Sequence, residues 1–258
     1  MDFQPLFASA LTFAFEKATI EGKMTISALV LVSMISWSVM ISKARQIFTA
    51  RGATRKFMAA YRASKDPLAL FRSKQAFVGS PAYQVYVSGC EELEYHLENN
   101  PLQIKGQKRI SAESFQSVQI ALERGLSGQS LSLEKGMIVL TTAVSGGPFI
   151  GLLGTVWGVM ETFSGIAMAA SASLTAMAPG VAGALIATVV GLFVAIPAMF
   201  AYNLMITAIR GITQELDNYN SEVATDFEHK YVDNRALADE IADALRSLED
   251  PRRQKGAV

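Results

Sequence analysis

Gly146-Gly-Pro-Phe-Ile-Gly-Leu-Leu-Gly-Thr-Val-Trp-Gly-Val-Met160 decides how this chain is read. It lies inside Met137–Ala170, where Glu161 is the one charged residue. An apolar run of about 20 residues is long enough to cross a bilayer. A simple anchor would be filled with leucine, yet glycines stand at 147, 151, 154 and 158 and a threonine at 155. Between helices in lipid there is no hydrophobic force, so association depends on backbones approaching closely through small residues. The segment is therefore written to pack against other helices, with a hydroxyl beside the contact.

Outward from this stretch, half the residues are apolar and they gather in three blocks, Met24–Ile41, Met137–Ala170 and Pro179–Ile209. The predicted spans are 23–42, 136–170 and 179–209. Charge orients them. From Lys43 to Lys74 nine basic residues face the single acid Asp66, while Ser171–Ala178 carries no charge. Basic loops stay on the cytoplasmic side. This places 1–22 in the periplasm, 43–135 in the cytoplasm as a helical domain, 171–178 as a periplasmic link and 210–258 as a cytoplasmic helical tail. The basic run is explained by orientation and lipid headgroups, so no nucleic-acid partner is expected. No cleavable signal is expected in residues 1–22; Phe3, Leu6, Phe7, Leu11, Phe13 and Phe15 suit an amphipathic helix on the outer surface.

The fold expected is an all-α membrane protein with three transmembrane helices, the second and third long and extending into the cytoplasmic helical domain. Asp66-Pro67 and Ser80-Pro81 read as helix starts, because proline suits the first helical position. Asn99-Asn-Pro101 ends a segment, and 105–110 reads as a polar connector. Phe115, Val118, Ile120, Leu122 and Leu126 recur with roughly helical spacing, with no strand-like alternation in competition. Residues 111–168 are thus one long helix or two nearly collinear ones, with Gly125, Gly128 and Gly136 permitting a bend. Ile209, Ile212, Leu216, Tyr219, Val223 and Phe227 form a one-sided packing stripe. The charged end from Arg246 is expected to fray. Cys90, inside the inferred cytoplasmic part, is expected to be a reduced, partly buried thiol. His96 and His229 lie far apart with no ligand spacing, and no phosphate-cradling loop or nucleophile–base pair stands out. Metal, cofactor and enzyme chemistry are therefore not expected.

On a helical wheel of about 100° per residue with Thr155 at zero, Thr162 falls near −20° and Thr141 near +40°. Gly147, Gly151, Gly154 and Gly158 occupy the adjoining sector. The third block repeats the design, with Gly180, Gly183, Ala187 and Gly191 in a row around Thr188. Polar side chains in a span face the bundle interior or a water-filled cavity, although a threonine also satisfies itself on the carbonyl one turn back. Both readings stay open for these hydroxyls. Glu161, the only ionisable group within a span, sits near −120° with the glycines. It is either a helix-contact or outer-mouth residue or an ion relay.

Gly147–Met160 resembles the signature of the ExbB/TolQ/MotA family of ion-channel subunits. Ala178-Pro-Gly-Val-Ala-Gly-Ala-Leu-Ile-Ala-Thr-Val-Val-Gly191, followed by Ala195-Ile-Pro-Ala198 and Tyr202-Asn203, is similar to that family's third span. The three-span layout favours the ExbB/TolQ-like branch. The resemblance implies a homopentamer in the bacterial inner membrane, whose second and third spans surround the single-span helices of an ExbD/TolR-like partner. Protons, or sodium in some relatives, pass by an aspartate of that partner and drive work on a TonB/TolA-like protein. Thr155 and Thr188 match the family's pore-facing threonines. One position departs: where ExbB and TolQ relatives usually carry a glutamate, this chain reads Gly180-Val-Ala-Gly183-Ala-Leu. Either the partner's aspartate suffices, or Glu161 substitutes, or another ion or a specialised system is served. A non-conducting membrane scaffold using the same glycine faces is the alternative function.

Overall fold

The computed structural model describes residues 20–104, 107–169 and 174–233. Most of the amphipathic helix expected over 1–22 lies outside the described residues, as do residue 170 at the end of the expected second span, 171–173 of the link and the tail beyond 233. The elements are α1 (Ile20–Ala63), α2 (Ala69–Arg72), α3 (Pro81–Asn99), β1 (Leu102–Ile104), β2 (Gln107–Ser111), α4 (Ala112–Glu134), α5 (Met137–Ala169), α6 (Leu174–Tyr231) and β3 (Val232–Asp233). Three helical stretches, Ile20–Ala63, Ala112–Met168 and Met177–Tyr231, are long and apolar enough to cross a membrane. The chain is an all-α membrane protein with a minor sheet. It divides into a span unit, Met1–Thr49 with Leu131–Ile212, and a second unit, Ala50–Ser130 with Thr213–Val258.

In the span unit α1 turns one stripe inward: Ile26, Leu29, Ser36, Met40, Lys43 and Ile47 are buried at spacings of three, four or seven. Leu31, Met34, Ile35 and Trp37 are each more than half exposed on the other side. In water so much contiguous apolar surface is a liability; in lipid it is the solvated face. Of the two forms left open for 111–168, the chain has two helices. They part at Gly136, whose φ of 89° is a conformation glycine adopts without steric cost. Lys43 closes this joint from α1: its Nζ donates to Leu133 O (3.0 Å), Ser132 O (3.4 Å) and Gln46 Oε1 (2.7 Å). The first two are carbonyls at the end of α4, where a cation also meets the negative end of the helix dipole.

The third long helix begins at Leu174, before the start at Pro179 taken from the sequence. Pro179 and Pro197 both lie inside α6. Proline removes one backbone donor, and in spans the freed carbonyl finds other partners, so the helix continues through it.

The second unit is built on an aromatic core. Phe57 is fully buried, and Tyr61, Phe77, Tyr83, Tyr86 and Tyr219 surround it with ring centroids 5.2–6.3 Å away. The α6 stripe read from the sequence begins in the span unit at Ile209 and Ile212 and continues in this one through Leu216, Tyr219, Val223 and Phe227; all six are buried. Ser80 caps α3 by accepting from Tyr83 N (3.2 Å), with Pro81 in the first helical position. Asp66-Pro67 opens only the short α2, starting at Ala69. Cys90 is fully rather than partly buried, and burial raises its thiol pKa.

The polar connector expected over 105–110 is corrected in part: Gln107–Ser111 is a strand. β1 and β2 pair antiparallel, Leu102↔Arg109 to Ile104↔Gln107. β3 joins parallel through Ile110↔Val232 and Ser111↔Asp233. Strands of two to five residues carry too few alternations to show a period in the sequence, and Ile110 is the buried side chain that anchors β2.

Asp66 ties the end of α6 to the turn after α1. Its Oδ1 accepts from Tyr231 Oη (2.6 Å) and Leu68 N (3.1 Å) and lies 3.1 Å from Lys230 Nζ. Burial alone would raise this carboxyl, but the hydrogen bonds from Tyr231 and Leu68 and the Lys230 ammonium outweigh it and hold the pKa low. A depressed folded-state pKa gives stability that is present above the unfolded value, about 3.9, and is lost as pH falls through the folded value. The unfolding midpoint of the wild type should therefore drop more steeply below about pH 4 than that of Asp66→Asn. Parallel pH curves for the two proteins would remove Asp66 as the coupled group.

Candidate ion-pathway site

The site is made by α5 and α6 within the span unit. A Cβ on Gly151 would lie 2.8 Å from Ala187 O and 3.0 Å from Thr188 Cα; one on Gly147 would lie 3.0 Å from Gly191 O. A Cβ on Gly158 would lie 2.8 Å from Ala184 Cβ, and one on Gly191 would run into Gly147 O and Gly151 Cα. These are contacts in which only a hydrogen fits, repeated along about three turns. Gly183 is buried, and Gly180 takes the hydroxyl of Thr162 against its backbone.

In the middle of this contact Thr155 and Thr188 hydrogen-bond to each other through their hydroxyls. Thr155 Oγ1 also lies 3.1 Å from Gly151 O and 3.3 Å from Ala184 O, and Thr188 Oγ1 is 3.2 Å from Gly151 O. Two hydroxyls and two carbonyls thus converge between two glycine-lined helices. Both threonines are half-buried, so one side of the pair remains accessible. Such a set offers neutral oxygen to water or to a hydrated cation, and a hydroxyl both accepts and donates a proton. It carries no charge of its own.

The remaining hydroxyls separate. Thr162 donates to Gly158 O at 2.8 Å, and Thr141 donates to Ile138 O at 2.9 Å within its own helix. Glu161 is exposed, with no hydrogen bond or ion pair among the described residues. The structure therefore joins Thr155 with Thr188, sets Thr162 on Gly180, and gives neither Thr141 nor Glu161 a side-chain hydrogen bond to α6. Thr25 of α1 was not singled out from the sequence. Its Oγ1 lies 2.8 Å from where a Gly154 Cβ would be, and Ala187 Cβ is 2.7 Å from the same point. A lone threonine near the start of a span gave no signal for this.

The profile of the MotA/TolQ/ExbB proton channel family matches residues 91–218, which include both threonines and the whole glycine row from Gly147 to Gly191. The chain is 33% identical over 215 residues to the Tol-Pal system protein TolQ of Haemophilus influenzae, an alignment covering 82% of this chain and 90% of that one. This chain belongs to the MotA/TolQ/ExbB proton channel family. The biopolymer transport protein ExbB of Pseudomonas putida is 31% identical over 222 residues, 84% of this chain and 64% of that protein. TolQ of Pseudomonas aeruginosa is 31% identical over 189 residues, 72% and 78% of the two chains. Identities this close to relatives of both names place the chain with Tol-Pal and ExbB-type systems together. With family membership and three membrane-length helices, the chain is a membrane-embedded member of a channel family.

Proposed function

We propose that this chain is the ion-conducting subunit of an inner-membrane motor of the ExbB–ExbD or TolQ–TolR kind. In this reading it forms a homopentamer with the N-terminus periplasmic and the C-terminus cytoplasmic. The second and third spans surround a single-span ExbD/TolR-like partner, and the work is passed to a TonB/TolA-like protein. The observation that carries the proposal is the Thr155–Thr188 hydroxyl pair, held by glycine contacts at mid-span in otherwise apolar helices. Polar side chains at that depth mark substrate and ion routes. Gly183, which stands where ExbB and TolQ relatives usually carry a glutamate, is buried and brings no carboxylate, so in this reading the titrating carboxylate is assigned to the partner. The driving force is the gradient, worth about 2.3 kcal/mol per charge per 100 mV.

One observation favours the scaffold reading: each hydroxyl already has a carbonyl partner within the chain, so assembly alone could account for them. Co-reconstitution separates the two. Vesicles holding this chain with a single-span partner bearing a membrane aspartate should show ion flux that disappears when that aspartate is replaced by asparagine. Assembly without any flux would favour the scaffold.

A further inference from the structure

We infer that Thr25 is a positioning residue for the Thr155–Thr188 pair, which makes α1 a working part of the ion pathway although α1 carries neither of the paired hydroxyls. The inference rests on the ion-conducting reading above. Gly154 is the point where three helices meet: the space a Cβ would fill is bounded by Thr25 Oγ1 of α1 at 2.8 Å and by Ala187 Cβ of α6 at 2.7 Å. The residue after Gly154 is Thr155, and the residue after Ala187 is Thr188. The contact that seats α1 is thus one peptide unit away from each member of the pair.

The chemistry of Thr25 fits this role. Its hydroxyl donates to Gly22 O at 2.9 Å, which fixes the rotamer and spends the proton within α1. The oxygen is then left against the side of Gly154 from which a Cβ would project, the side where a glycine offers only an α-hydrogen and where Cα–H···O contacts let helices approach closely. Oxygen sits at about 3.3–3.6 Å from such a carbon, whereas a methyl needs about 3.5–4.0 Å. Valine in the same rotamer would push α1 off α5 by a few tenths of an ångström. Alanine would leave the contact unmade. Ile26, the next residue, and Leu29, one turn further on, are buried, so α1 is packed on both sides of this contact and a shift at residue 25 is expected to pass to α5.

The test uses the full chain co-reconstituted with the aspartate-bearing partner, comparing Thr25→Ala, Thr25→Val and Thr25→Ser with Thr155→Val as control. Size-exclusion profiles are read beside the flux. Thr25→Ala should keep the oligomer and lower flux by about five- to tenfold, the scale of coupling through a packed contact. Thr25→Val should lower it at least as much or fail to assemble, and Thr25→Ser should restore it. Wild-type flux in Thr25→Ala while Thr155→Val is inactive would overturn the inference and leave the conducting reading in place. Equal loss in Thr25→Ser and Thr25→Ala would also overturn it, because the hydroxyl would then not matter. Unchanged flux in Thr155→Val would place the ion route away from the hydroxyl pair and overturn the role of Thr25 with it, whereas assembly without flux in the wild type would remove the conducting reading.

Discussion

Gly151→Leu is expected to abolish the folded, assembled protein in membrane extracts. The missing Cβ is bounded by backbone, Ala187 O at 2.8 Å and Thr188 Cα at 3.0 Å. No side chain can rotate away to make room. A leucine there forces α5 and α6 apart along the glycine row, so Gly147 and Gly158 lose their contacts as well. Packing of small residues is what holds helices together in lipid, and the change belongs with the rare substitutions that cost more than about 4 kcal/mol. Gly146→Leu is the control, since nothing lies within 4 Å of that position within the chain. It should insert normally and survive size-exclusion chromatography as a monomer or larger species. An intact Gly151→Leu protein with wild-type elution would show that α5 and α6 do not pack as described.

Much of the fold could be read in the residues, and the particular cases show why. The Ile209–Phe227 stripe is long, so its spacing of three and four residues repeats often enough to mark a helix face. Ser80-Pro81 announced α3 because a capping hydroxyl and a proline coincide at a helix start. Gly136 was one of three possible bends; the structure picks it through its positive φ, a property not visible in composition. The hairpin Leu102–Ser111 stayed hidden, because strands this short are held by backbone pairing that leaves little trace in side-chain order. The start of α6 was set too late, because proline was taken as a boundary.

At the site, the wheel grouped Thr155 with Thr162 and Thr141, but a wheel describes one helix. Which of those hydroxyls meets another helix depends on where α6 crosses, and the crossing falls at Thr155 and Thr188. Thr25 depends on a contact between segments more than 120 residues apart in sequence. No local pattern encodes such a contact.

The second large effect concerns that hydroxyl pair. Thr155→Val and Thr188→Val each keep nearly the same shape, so the glycine contacts and the oligomer should persist. Each removes one of two hydroxyls that share a hydrogen bond and converge on Gly151 O. The partner hydroxyl then loses its fellow donor and acceptor, and the polar opening at mid-span becomes half apolar. Flux should fall by about 10- to 100-fold, in line with the roughly 1–3 kcal/mol lost when a buried polar group is deprived of its hydrogen-bond partner. Wild-type flux in either protein would place the ion route elsewhere.

The most direct measurement combines them. Residues that act as one unit are strongly non-additive. In vesicles containing the partner, Thr155→Val, Thr188→Val and the double variant should therefore show nearly the same low flux. Two independent losses that multiply in the double variant, or no loss in any of the three, would contradict the account of a single shared hydroxyl site between α5 and α6.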